Sequence, residues 1–374
     1  MAGQTSGRHH DPKKEFYFLF SFGYKHITES VTDPSFLDYR EKIRGMLKIA
    51  KLLLTLISGL AMAANASAIE NIKVLILNEV YSRIPAKNEI IEKVGTMKGD
   101  LLLMGTGYAG SIGIWKGEGG LYMVNELPLE EYVKDVVAAE VGPDWDMEAL
   151  KVQAVISRTY ALYQKRMNGD SIYHIASSVI NQVYKGKSPD TRIAYAVSET
   201  SGEILTFNGK PIEALYHSTC GGRTENPEEV FGKSYPYLKS VESSCDLSPY
   251  SSWERKIRLD EIEEALDIKE IKEIKVKSFT STKRVKQIAV QNRSGTTTIN
   301  APDFRKALGW SRLPSTDFTL SRQGDSILFV GKGYGHGVGL CQWGALKMAR
   351  DGKNYRDILS FFYPGTLILS YEDH

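Results

Sequence analysis

Residues 128–169 read PLEEYVKDVVAAEVGPDWDMEALKVQAVISRTYALYQKRMNG, and the fold turns on how this stretch is divided. Pro128 suits a first helical turn and Gly142-Pro143 ends the run. Asp146 is then a natural cap for a second helix that stops at Asn168-Gly169. Upstream, IENIKVLILN (69–78), LLLMG (101–105), GSIGIW (110–115) and GGLYMVN (119–125) are short apolar runs broken by glycine, the pattern of strands. Strands and tight turns return over 204–245, and TLILSY (366–371) is a terminal strand. The expected class is α+β: mostly antiparallel strands with a few helices, the helix pair packed on sheet, and room for a second, smaller lobe.

The charged run ERKIRLDEIEEALDIKEIKEIKVK (254–277) has apolar residues at helical spacing, and we read 253–300 as a solvated linker or peripheral insertion. The 374 residues are 42% hydrophobic, and 47 basic against 45 acidic side chains give a net charge of +2, so bulk charge makes no case for nucleic acid. Residues 46–68, MLKIAKLLLTLISGLAMAANASA, have a lysine-bearing start, an apolar run and an Ala-Ser-Ala end, the form of a secretory signal. The expectation is that Met46 starts the chain, that residues 1–68 are a misassigned extension plus signal, and that 69–374 form one exported catalytic domain. An uncleaved membrane anchor is the other reading, and both place the domain in the periplasm or at the outer face of the cytoplasmic membrane.

Leu129, Val133, Val136 and Glu140 are spaced four, three and four, so Glu140 prolongs an apolar helix stripe at its C-terminal end. Desolvation and the negative end of the helix dipole both raise its pKa, as a general acid requires. On the second helix Lys151 and Arg158 share a face, two cations able to hold Glu140 or an anionic group. Glycines at 331, 333, 335, 337 and 339 surround His336, but the spacing never gives G-x-G-x-x-G, so a dinucleotide loop is excluded. The alternation is read as a flat wall that a bulky ligand approaches closely. Cys220 and Cys245 are expected to lie close, with Cys341 single at the start of its helix. A disulfide, a weak zinc set with His217 one ligand short of four, and separate buried thiols remain open.

Five blocks, LPLEEYVKDVVAAEV, ALKVQAVISRTYAL, HSTCGGRTE, APDFRKALGW and GYGHGVGLCQWGA, stand in the order and style of the stage II sporulation protein D family, which also contains the LytB amidase enhancers. The resemblance spans roughly residues 120–345 and implies an extracytoplasmic lytic transglycosylase that cleaves peptidoglycan glycan strands, preferring strands without stem peptides. It places the catalytic acid on Glu140 and substrate contacts on Lys151, Arg158, His217, Ser218, Thr219, Tyr334 and His336. Gln182 and Tyr184 of the Q-V-Y segment and Gln342 and Trp343 beyond the glycines complete the candidate surface. Some members bind zinc just before Q-V-Y; here Val179, Ile180 and Asn181 stand where those ligands would be, so no cofactor is expected. One carboxylate suffices for such a lyase, because the sugar's own primary hydroxyl is the nucleophile. A glycan-binding enhancer of a cell-wall amidase, without catalysis, is the alternative, and a metal hydrolase using His217 and His336 ranks third.

Overall fold

The structure, a computed structural model, describes residues 70–371 apart from 77–83, 86–88, 100, 104, 170, 179–180 and 189. The extension and signal over 1–68, and positions Val179 and Ile180, lie outside the described residues. The helices described are α1 (Leu129–Glu140), α2 (Met147–Asn168), α3 (Thr191–Glu199), α4 (Pro227–Phe231), α5 (Leu259–Leu266), α6 (Ala301–Leu308), α7 (Gln342–Arg350) and α8 (Tyr355–Phe362).

A five-stranded sheet runs in the spatial order Glu92–Lys98, Ser111–Gly117, Gly120–Pro128, Asn71–Leu75, Ile175–Ala176. Its pairs are antiparallel except the last. Strand Gly120–Pro128 runs straight into α1, because Pro128 holds extended torsions and the Leu129 amide bonds the Glu70 carbonyl at 2.8 Å. The Asp146 carboxylate caps α2 by accepting from the Glu148 amide at 3.0 Å. Tyr132, Val133, Val136 and Val137 of α1, Ala154, Val155 and Ile156 of α2, and Ile72, Val74 and Leu127 of the sheet form one core. The fold is α+β, with the helix pair on the sheet as expected.

The charged run 254–277 has regular structure, which sets aside the linker half of its reading and leaves the insertion half standing. It folds as strand Trp253–Arg258, helix α5 and strand Glu273–Phe279, and it builds a second core. Ile257, Ile262, Ile271 and Ile274 turn inward onto Phe304 and Phe329 while the charges stay outside. The apolar positions mix period 2 with period 3.6, which a single helical reading cannot separate.

A short parallel bridge holds the site wall together: Tyr216 pairs with Leu340 and His217 with Cys341. The glycines of 333–339 serve this seam. Gly339 sits at φ +73°, and a Cβ there would lie 2.0 Å from the Leu215 carbonyl oxygen; at Gly335 (φ +115°) it would lie 2.8 Å from the His217 Cβ. The close approach is therefore to the protein's own strand, which corrects the expectation of a bare wall left open for a ligand.

Candidate active site

Glu140 is the last residue of α1, partly buried, at the end of the apolar stripe. Its Oε1 accepts from the Val183 amide at 2.8 Å and from the Tyr216 hydroxyl at 3.0 Å, and its Oε2 from the Gln342 amide at 3.4 Å. Burial pushes the carboxyl above its ordinary range, against the three donors and the Lys185 ammonium, which favour the charged form. Tyr216 stays a protonated donor because burial, then the adjoining carboxylate, lift its phenol well above the usual value. Gln342 is in turn held by the Gln153 side-chain oxygen at 3.2 Å. Gln182 lies beneath, accepting from the Tyr132 hydroxyl at 3.0 Å and donating to the Ser157 carbonyl at 3.3 Å.

Of the residues expected from sequence, Glu140 and Gln342 thus meet, and Gln182 immediately precedes Val183, whose amide holds Glu140. Sequence reasoning missed Tyr216, Val183, Lys185 and Gln153. Tyr216 was within reach, since it immediately precedes His-Ser-Thr at the end of an apolar strand. Trp145 was missed as well: it lies just beyond α1, and its indole is 5.2 Å from that of Trp343, the neighbour of Gln342. Both rings are partly exposed, a pair of apolar faces beside the carboxyl of the kind sugars stack on.

Other expected contacts are committed elsewhere. Arg158 is fully buried and makes a forked ion pair with Glu130, Nε and Nη2 each 2.7 Å from a carboxylate oxygen, and Nη1 donates to the Glu203 carbonyl at 3.0 Å. It holds α1 to α2, which corrects its assignment to Glu140 or to substrate. Lys151 pairs with Glu148 at 3.2 Å and lies over the Tyr355 ring. Tyr184 donates to Asn125 at 2.6 Å from within the core, stacked near Tyr132.

The His-Ser-Thr and glycine segments meet each other along the seam. His217 Nδ1 bonds the Val338 carbonyl at 3.1 Å, and His336 Nδ1 accepts from the Val338 amide at 3.0 Å. Burial holds the His217 imidazole well below its ordinary range, and burial with Arg305 holds His336 at about 4, so both are neutral at pH 7. The His336 ring packs on Phe231 and His217. Thr219 bonds the Ser248 hydroxyl at 2.6 Å and bridges Tyr334, whose ring lies 4.5 Å from that of Tyr250. The Ser218 carbonyl accepts from the Trp343 amide at 3.1 Å, and its hydroxyl lies against that of Thr219. Asn181, where the family's zinc ligands come close, bonds Tyr160 and Ser178.

Cys220 and Cys245 lie close as expected, their sulfurs 3.6 Å apart and unbonded. Cys341 is not single: its Sγ joins them, all three sulfurs lying within 4.8 Å of one another, because the parallel bridge carries Cys341 to the Cys220 loop.

Comparison with known proteins places this geometry. A stage II sporulation protein family model matches residues 117–207, and a domain of unknown function (DUF8618) matches 248–339, the stretch that holds the second core. The chain is 37% identical over 263 residues to stage II sporulation protein D of Bacillus subtilis, covering 66% of this chain and 75% of that one. It is 36% identical over 276 residues to an uncharacterized protein of Brachyspira hyodysenteriae, 72% of this chain and 74% of the relative. It is 30% identical over 290 residues to the amidase enhancer of Bacillus subtilis, 64% of this chain but 40% of that longer protein. With α1 and α2 inside the matched stretch and three quarters of a sporulation protein D covered, the chain belongs to the stage II sporulation protein D family, in which the LytB amidase enhancers also stand.

Proposed function

We propose that the chain is an exported lytic transglycosylase acting on peptidoglycan glycan strands, with Glu140 as acid and then base. The observation that carries this is a partly buried carboxyl held by three donors: its bonded neighbours among the described residues are a backbone amide, a phenol and a side-chain amide, none a carboxylate. A hydrolase of the usual kind needs a second carboxylate to direct water or attack the sugar. A lyase does not. Protonated Glu140 gives its proton to the glycosidic oxygen as the bond from C1 breaks. The resulting carboxylate then takes the proton of the sugar's C6 hydroxyl as that oxygen closes on C1, so the acid is regenerated and no water is consumed. Tyr216, Val183 and Gln342 steady the carboxylate between the two transfers, and the Trp145 and Trp343 faces supply stacking for the saccharide.

The test is digestion of isolated cell wall by the purified protein, with the products read by mass spectrometry. Anhydro-muramic ends are expected, and Glu140→Gln, which keeps the shape but has no proton to give, should cut cleavage by at least about a hundredfold while glycan binding survives. Reducing muramic ends would mean that water is the nucleophile. No cleavage by the wild-type protein, together with stimulation of a cell-wall amidase, would establish the enhancer reading, which the similarity to an amidase enhancer favours. Export is checked by the N-terminus of the native protein, expected near Ile69; a start at Ala2 would refute it.

A further inference from the structure

Cys220, Cys245 and Cys341 come from three separate segments, are 0%, 4% and 0% exposed, and bring their sulfurs within 4.8 Å of one another. We infer that this cluster is a structural zinc site, in which three thiolates clamp the Cys220 loop, the Cys245 segment and the start of α7.

The spacing is that of ligands. Two sulfurs bound to one zinc at about 2.3 Å and the tetrahedral angle are about 3.8 Å apart; Cys220 and Cys245 are 3.6 Å apart. The surroundings suit thiolates. The Cys220 amide points at Cys341 Sγ from 3.2 Å and the Gly344 amide from 3.3 Å, at the N-terminal end of α7 where the helix dipole favours negative charge. Three thiolates and one zinc leave a single negative charge. The guanidinium of Arg284, 2% exposed, stands ready to balance it, bonded to the Cys220 carbonyl.

The fourth position has a polar group to serve it. Ser243 is 7% exposed, its hydroxyl has no hydrogen-bond partner among the described residues, and its carbonyl oxygen lies 3.2 Å from Cys220 Sγ. A Cβ placed on Gly344 would strike the Ser243 oxygen at 2.1 Å and Cys341 Sγ at 3.3 Å, so hydroxyl and thiol face each other across that glycine. A zinc-bound water bonded to Ser243 completes the set, and an oxygen donor beside three sulfurs favours zinc over copper(I). The site differs from the one that some relatives carry before Q-V-Y, where Asn181 is engaged with Tyr160 and Ser178. It also leaves His217 free for the seam.

The test uses the intact wild-type protein, prepared from cells given zinc and without chelator. One zinc per chain is expected by elemental analysis, and alkylation under denaturing conditions should release that zinc as three thiols react. Cobalt(II) replacing the zinc should show thiolate-to-metal charge transfer with the intense visible bands of a tetrahedral site. Cys341→Ser should retain zinc at least about tenfold less well after dialysis, and, should that variant fail to fold, the wild-type zinc and cobalt measurements stand alone. A protein with three free thiols and no zinc, or with a Cys220–Cys245 disulfide and no zinc, overturns the assignment. None of these readings depends on glycan cleavage.

Discussion

Removing one oxygen atom tests the electrostatics of the site. Tyr216→Phe fills the same space and deletes only the hydroxyl that donates to Glu140 Oε1 at 3.0 Å. That bond favours the ionised carboxylate, so its loss raises the pKa further. A hydrogen bond to a charged group contributes about 1.5–3 kcal/mol, and its loss moves the balance by that much toward the protonated acid. On the proposed mechanism cleavage requires the protonated acid and declines as pH rises; the alkaline limb of kcat/KM against pH should therefore move up. The maximal rate should fall, since the carboxylate left between the two proton transfers loses a donor. Carboxyl-labelled glutamate followed by NMR reads the same shift without substrate. A limb that stays in place or moves down would show that Tyr216 does not set the charge on Glu140, and the pocket argument fails with it.

Arg158→Met leaves Glu130 unpaired and the Glu203 carbonyl short of a donor, and should destabilise the fold by about 3 kcal/mol in urea melts. The KM for glycan should stay unchanged in the folded protein, whereas a substrate contact would raise it. Asp135 is buried, accepts from the Ser188 amide at 2.8 Å and has no partner among the described residues for its other oxygen; burial raises its pKa from 3.8 to about 6. A carboxyl raised in the folded state holds its proton more tightly there, so stability is greatest below pH 4 and is lost as pH rises to 6, by about 3 kcal/mol at most. Asp135→Asn should remove that slope from melting temperature against pH.

The stripe ending in Glu140 was legible because helical period is a local property: four residues on one face need no knowledge of the rest of the chain. The caps of α2 were legible for the same reason. Arg158 was misread because its partner, Glu130, belongs to another helix, and nothing in the local pattern separates a cation facing solvent from one facing a buried carboxylate. The glycines around His336 were rightly seen as permitting close approach. What approaches, the Leu215 carbonyl and His217, comes from a strand more than a hundred residues earlier. Cys341 joined the other two thiols through that same pairing.

The holders of the Glu140 carboxyl come from far along the chain: Val183 is 43 residues on, Tyr216 is 76 and Gln342 is 202. A polypeptide still growing on the ribosome, short of Gln342, carries the glutamate on a finished helix but lacks its last donor and the strand that seats Tyr216. Contacts of such sequence separation form late and slowly compared with helices. The carboxyl is thus written early and seated last, and a chain cut short anywhere before residue 340 lacks both the Gln342 donor and the strand paired with Tyr216.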